Sequence, residues 1–374
     1  MNNSIITDDE VRAFFLNCSS HTIIESLIGL HESLRLYSQN HEILPNRIFK
    51  ELDESNKDSK ISHIFMPVVS KDFSGIKILV NNNNKNFQGV INLLEPETGN
   101  LIGCFEAKQI TAIRTALVSC IGLYKQLSDP YDALFKFEDN TCHLTCFGTG
   151  LQAFWHIFVA IKILGSVAVK DSLKLIEINI LYHKNMMDLD CLESLSKSFG
   201  SDLRIKFNQY QLNDVSSKNN EVVSTSDIIF GCLPTLEPNL YLEQLENNKD
   251  STVQKHTYIS LIGSYKPVMH ECDKKLIDKF KFNDENVRIL VDSRQHTLLE
   301  SGELIDSSIA PHDTIEIGEM NSMKDIVLNL NEGNCKRTIT LCKIVGLAVM
   351  DVALAKKFLS LRAMDSMSRE QVSF

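Results

Sequence analysis

Hydrophobic positions along this chain recur in two rhythms, and the changes between them outline its organisation. Val11, Phe14 and Phe15 fall at helical spacing behind Thr7 and Asp8 as caps, with Glu10 in the first turn. The first stretch, to roughly residue 40, therefore reads as helical. From Ile61 the rhythm shortens to strand-like runs at 61–66, 76–80, 90–94 and 101–105. Pro96 and Gly99 in EPETGN predict a hairpin-type connection between the last two, and the asparagines at 81–84 read as a loop. A helix is expected from about Ile110 to Leu127, stopped at Ser128-Asp129-Pro130 because proline cannot continue it. A domain boundary is placed there.

Beyond Pro130 strands and helices alternate. Strands are predicted at 143–147, 173–181, 203–207, 227–230, 258–262 and 288–291, with helices at 152–164 and 189–199 among them. Alternation of this kind predicts an α/β fold with a parallel, doubly wound sheet. The closing segment returns to one long helix, on which Leu341, Val345, Ala348, Val352, Ala355 and Leu359 form a buried stripe. No internal repeat is visible.

Composition narrows the function. With 48 acidic against 38 basic side chains, the formal net charge is −10. That balance counts against nucleic acid, which demands a basic stripe, and against a polybasic membrane-surface protein. The most apolar stretch, 154–169, is interrupted by His156 and Lys162 and suits a buried helix better than a membrane span. MNNSIITDDEVRAFF lacks the basic and apolar regions of a secretory signal, so a cytoplasmic location is expected. The ten cysteines are scattered without a CxxC pair, and the histidines show no HxH or HxxxH spacing. Reduced thiols and no metal site are expected.

The strongest chemical signal is TCFGTGLQAF at 145–154. A strand ends in Gly148-Thr149-Gly150, an apolar helix follows, and Ala153 takes the third small position of the GxGxxA dinucleotide fingerprint. The first glycine allows a tight turn, the second lets backbone approach a pyrophosphate, and the helix N-terminus supplies positive potential. At the end of the next strand, Tyr182, His183 and Lys184 stand where NAD sites usually carry an acid. Lys184 there reads either as a solvated loop lysine or as a contact to the 2′-phosphate of NADP, which leans the cofactor to NADP over NAD. Arg114, placed near the first turn of the 110–127 helix, adds a cation to an already positive end and reads either as a surface arginine or as a group holding a bound anion. Asp292 and Ser293 follow a strand at the ligand-binding edge of such folds. Glu271 and Asp273 stand at a helix start, where capping is the simplest role. No G-x-S-x-G elbow supports a hydrolase, so His296 near Ser293 carries little weight.

Taken together and in order, TGNLIGCFEAKQITAIRTA (98–116), FGTGLQA (147–153), SDIIFGCLP (226–234), GSYKPVMHECD (263–273), VDSRQHTLLESGEL (291–304) and VGLAVMDVALA (345–355) resemble the ornithine cyclodeaminase/mu-crystallin family. The resemblance spans about Thr7 to Leu361. It implies a Rossmann-type domain at 131–334 and an α+β substrate-binding and dimerisation domain at 1–130, completed by about 335–374. It also implies NAD(P)-dependent chemistry on a small amino or imino acid by a homodimer. Arg47, Lys77 and Arg114 match the family's three cations around the substrate carboxylate, with Lys77 and Arg114 nearest the chemistry. Thr115 matches a threonine beside the nicotinamide, and Gly148, Thr149, Gly150 and Gln152 match the pyrophosphate turn. His183, Lys184, Asp292 and Ser293 complete the expected cofactor set.

One departure redirects the expected chemistry. Cyclodeaminases carry a catalytic aspartate beyond a T-x-T stretch; here Gly231 and Leu233 replace the threonines and Thr235 stands near the acid's position. Without that general base, ornithine cyclodeamination is disfavoured. Leu236-Glu237-Pro238 looks more like the mu-crystallin branch, and His270 stands where relatives often carry arginine. The expected activity is reduction of the C=N bond of a small carboxylated imine or ketimine. The alternative is a catalytically degenerate NAD(P)-binding module for a ligand or partner.

Overall fold

The computed structural model describes residues 5–52, 61–82, 85–128, 134–167, 173–199, 203–212, 217–246, 254–283, 286–322, 324–330 and 336–371. The chain divides into two units: residues 1–118 with 346–374, and residues 119–345. The boundary expected at Pro130 and the asparagines 83 and 84 fall outside the described residues.

The first unit opens with β1 (Ile5–Ile6), α1 (Asp8–Asn17) and α2 (Ser20–Gln39). Thr7 accepts from the Glu10 N–H while Glu10 accepts from the Thr7 N–H, the reciprocal cap foreseen in the sequence. There follow β2 (Ile48–Glu51), β3 (Ile61–Val69), β4 (Ser74–Asn82), β5 (Lys85–Leu94), β6 (Leu101–Glu106) and α3 (Ala107–Ser119). The described strands form one sheet in the order β1-β6-β5-β4-β3-β2, antiparallel except for the β1–β6 pair.

The second unit runs α4 (Ile121–Ser128), β7 (Thr141–Phe147), α5 (Leu151–Val167), β8 (Leu175–Tyr182), α6 (Asp190–Lys197), β9 (Arg204–Gln211), α7 (Ser217–Ser224), β10 (Ile228–Gly231) and α8 (Leu242–Glu246). It continues with β11 (Lys255–Leu261), α9 (Lys274–Lys281), β12 (Ile289–Val291), α10 (Arg294–Glu300), α11 (Gly302–Asp306), β13 (Thr314–Glu316), β14 (Leu328–Leu330) and β15 (Arg337–Lys343). The closing helix α12 (Ala348–Gln371) belongs to the first unit, where it packs on β3, β4, β5 and α2. Phe358 of α12 meets Phe14 and Phe105 edge-on, at ring-centroid distances of 5.1 and 5.8 Å.

Among the described strands of the second unit the order is β13-β12-β15-β11-β10-β7-β8-β9, all parallel, with β14 antiparallel on β15. The α/β expectation holds. Order reverses between β7 and β10, which makes the carboxyl ends of those two strands the topological switch point where such folds bind ligands.

Two expectations are corrected. Leu341 lies on β15, a fully buried strand between β11 and β12, and Val345 lies between β15 and α12, so neither is on the closing helix. A short continuous apolar run reads equally as buried strand or helix, and here β-branched Thr338, Ile339 and Thr340 tip it to strand. The helix expected over 110–127 is broken at Cys120, between α3 and α4. The Tyr258 hydroxyl donates to the Ser119 carbonyl at 2.7 Å and also bonds the Leu123 backbone. It thereby takes the place of the 119–123 rung, and a side chain inserted into the helical ladder bends or breaks it.

A buried ionic quartet lies at the carboxyl edge of the parallel sheet. Lys343, ending β15, bonds Ser264 Oγ at 2.5 Å, Glu271 Oε2 at 3.0 Å and Glu303 Oε1 at 3.2 Å. Glu271 is thus not a helix cap; Asp273 is, accepting from the Leu276 N–H. Glu271 fits because Gly231 and Gly263 lack Cβ atoms, which would stand 2.5 and 2.7 Å from Oε1. Burial pushes the Glu271 carboxyl up to about 7, aided by Glu303 and opposed by Lys343. Burial alone would lower Lys343, but Glu303 and Glu271 outweigh it and raise it. Because Glu271 binds its proton more tightly folded than unfolded, its contribution to stability is full at acid pH and fades as pH rises through about 7. Glu271→Gln should therefore flatten the fall of melting temperature between pH of about 4.5 and 7. An unchanged slope would show that Glu271 does not titrate there.

Candidate functional site

The dinucleotide turn is built at the switch point. Phe147 ends β7, and Gly148 turns the chain with φ +114°, a conformation that side chains rarely adopt. Its N–H donates to the Leu181 carbonyl at 2.8 Å, and a Cβ would stand 3.1 Å from the Cys232 carbonyl just past β10. A Cβ on Gly150 would meet open space, so backbone there is approachable from outside. Helix α5 begins at Leu151, and the fully buried Ala153 lets it pack closely. Gln152 Oε1 is buried with no partner among the described residues. This strand, turn and helix fit a pyrophosphate, since unsatisfied amide groups and the helix dipole converge on one approachable turn.

The adjoining residues divide in their roles. Thr149 Oγ1 donates to the Asn185 carbonyl at 3.0 Å, tying the turn to the loop after β8. On that loop His183 is half-buried and Lys184 exposed, and residues 182–187 contain no carboxylate. Asp292 is buried, its Oδ1 accepting from the Ser293 N–H, Thr297 Oγ1 and the Val345 N–H. Ser293 caps α10 through the His296 N–H and meets His296 Nδ1 at 2.9 Å. Both therefore brace the carboxyl edge of β12.

A second constellation lies wholly within the first unit. Lys77 projects from β4 and is 2% exposed; its Nζ donates to Asp351 Oδ1 and to Thr111 Oγ1, each at 2.7 Å. The Thr111 hydroxyl lies 2.5 Å from the Ala107 carbonyl and 3.1 Å from Asp351 Oδ1, two acceptors for its single proton. Arg114 reaches the same Asp351 oxygen through Nε at 3.4 Å and Met350 Sδ through Nη1 at 3.2 Å. Burial pulls the Lys77 ammonium down to about 8, with Asp351 opposing and Arg114 adding to the fall. Burial likewise opposes Asp351, but Arg114 and Lys77 hold its carboxyl below the ordinary value. Two buried cations share one carboxylate, so the cluster keeps one net positive charge.

Lys77 and Arg114 are thus brought together. Arg114 stands two turns inside α3 rather than in its first turn, so the helix dipole does not single it out. Arg47 is exposed, one residue before β2. Ile48 pairs with Phe65 and Met66 with Lys77, so the register continued by one residue puts Arg47 in the Lys77 row, roughly 10 Å away. Thr115 is buried and donates to the Thr111 carbonyl at 2.7 Å. Asp351 was missed in the sequence, although it interrupts the apolar run VGLAVMDVALA; in a first helical turn an acid reads as a dipole complement. Thr235 donates to the His270 carbonyl at 2.7 Å. Among the described residues no cluster suits a metal ion, and no helix is long and apolar enough to cross a membrane.

Comparison with known proteins gives the family. A model of the ornithine cyclodeaminase/mu-crystallin family matches residues 31–360. An uncharacterized protein of Saccharomyces cerevisiae is 77% identical over 99% of this chain and 100% of its own length. The ketimine reductase mu-crystallin of Rattus norvegicus is 27% identical over 74% of this chain and 70% of its own. In structure, the Delta(1)-pyrroline-2-carboxylate reductase of Thermococcus litoralis, in complex with NADH and L-proline, matches with a TM-score of 0.61. It is 18% identical, covering 94% of this chain and 95% of the other. A family match that runs from α2 to α12, through the glycine turn and the buried charge cluster alike, places this chain in the ornithine cyclodeaminase/mu-crystallin family.

Proposed function

We propose that this protein is an NAD(P)H-dependent reductase of the C=N bond in a small carboxylated imine or ketimine. The observation that carries the reading is the Lys77–Arg114 pair, two cations buried with a single carboxylate. A site left with positive charge away from water is built for an anion, and charge-assisted donors suit a carboxylate. Arg47, in the same sheet row, adds an exposed cation.

The bound nicotinamide supplies the hydride. The Gly148–Gly150 turn, Gln152 and the start of α5 hold the pyrophosphate, with Thr149 keeping the turn against the β8 loop. Lys184 and His183 on that loop meet a 2′-phosphate, which favours NADP over NAD. Asp292 and Ser293, at the carboxyl end of β12, complete the cofactor set that the family resemblance implies. Lys77, titrating at about 8, orients the substrate carboxylate together with Arg114 and holds a proton exchangeable near neutral pH. Thr115, one residue on from Arg114, is assigned to the nicotinamide side by the family resemblance. The exposed apolar side chains Ile48, Phe49 and Val69 on β2 and β3 suit a homodimer interface. Amino-acid metabolism in the cytoplasm is the fitting setting.

Thr235 favours a second reading, a nucleotide-binding module without turnover. No carboxylate stands at the cyclodeaminase position, and the hydroxyl there is bonded to backbone. The same observation disfavours ornithine cyclodeamination.

The deciding experiment offers NADPH with cyclic ketimine carboxylates and follows NADPH absorbance. Turnover is expected, and Arg114→Ala should raise KM roughly 30-fold or more, the effect of losing one partner of a buried charge pair. A dinucleotide that raises the melting temperature without turnover across the panel would leave the binding-module reading. Gly148→Ala forces a side chain into a left-handed backbone and against the Cys232 carbonyl. It should weaken dinucleotide binding by roughly tenfold or more, read by calorimetry; unchanged affinity would remove the turn from the site.

A further inference from the structure

Three elements meet on one oxygen of Asp351. Lys77 arrives from β4, Arg114 and Thr111 from α3, and the carboxylate itself from α12. The Asp351 side chain is fully buried, and its second oxygen, Oδ2, has no partner among the described residues. Burying an acid is costly unless it is paired. The acid is explained by what it does to its neighbours. Without it, Lys77 and Arg114 would be two like charges buried together.

We propose that Asp351 is the positioning residue of a carboxylate clamp: it fixes the Lys77 ammonium and Arg114 guanidinium on one centre and leaves them a single net positive charge, matched to one substrate carboxylate. This rests on the reading of Lys77 and Arg114 as substrate anchors and adds the residue through which they are held. Asp351 is buried away from any ligand and acts through the two cations.

The charged groups that face Lys77 among the described residues are Asp351 on α12 and Arg114 on α3. Burial and Arg114 both favour the neutral amine, and Asp351 alone opposes them. Removing its charge therefore lets Lys77 lose its proton at lower pH. A neutral amine no longer holds a carboxylate by charge, so binding should fail earlier on the alkaline side.

The test is calorimetric titration of pyrrole-2-carboxylate, an unreactive planar carboxylate, into the full chain with NADP present, at pH from about 6 to about 9. Wild-type affinity should fall above about 8, and in Asp351→Asn that limb should move down by about one pH unit or more. Asp351→Glu, which keeps the charge, should leave the limb in place. A limb that stays put in Asp351→Asn, with affinity weakened equally at every pH, would make Asp351 merely structural and overturn the proposal while the clamp stands. Failure of the folded wild type to bind the carboxylate would overturn the clamp itself. If Asp351→Asn does not fold, adding Lys77→Met should restore melting towards wild type, because the second buried cation is gone. Absence of that rescue would overturn the proposal.

Discussion

A lysine and an arginine enclosed between a sheet and its helices cannot both stay charged without a carboxylate, and Asp351 supplies it. Much of the first unit follows from that need. The acid must come from α12, so the chain has to leave this unit at Val118 and return to it at Gly346. The helix must then lie on β3, β4 and β5, where its Phe358 seals against Phe14 and Phe105.

The second unit meets the opposite electrostatic problem. Its glycine turn offers backbone and a helix N-terminus to an anion, while a few strands away Lys343 is outnumbered by Glu271 and Glu303. Burial raises the Glu271 pKa, with Glu303 adding to the rise and Lys343 opposing it. Burial lowers that of Lys77, with Arg114 adding to the fall and Asp351 opposing it. Both groups titrate near neutral pH for the same reason, since removal from water disfavours the charged form of an acid and of a base alike.

What was legible in the sequence was local. The strand runs at 61–66, 76–80, 90–94 and 101–105, the cap at Thr7 and the strand–turn–helix at 147–153 each depend on neighbours a few residues apart and are legible, whereas the short strands β1 and β2 are not. What was hidden depends on contacts across the chain. Lys77 and Asp351 are 274 residues apart, so nothing near Asp351 marks it as a partner rather than a helix-start acid. Tyr258 breaks the helix at Cys120 from 139 residues away. Strand β15 and helix α12 read as one apolar run because burial on both faces erases the alternation that separates strand from helix. Arg114 was chosen for a dipole argument that its place in α3 does not support; its pairing with Asp351 is the firmer ground. Ordered motifs carried the family assignment where single residues did not.

The central claim is that a substrate carboxylate lands on the Lys77–Arg114 pair, and the most direct measurement watches Lys77 itself. The Lys77 ammonium resonance would be followed by heteronuclear NMR as pyrrole-2-carboxylate is added, with pyrrole as the uncharged control. A saturable shift is expected with the carboxylate and none with pyrrole. Binding of the carboxylate that leaves the Lys77 resonance unmoved, or an equal response to pyrrole, would contradict it.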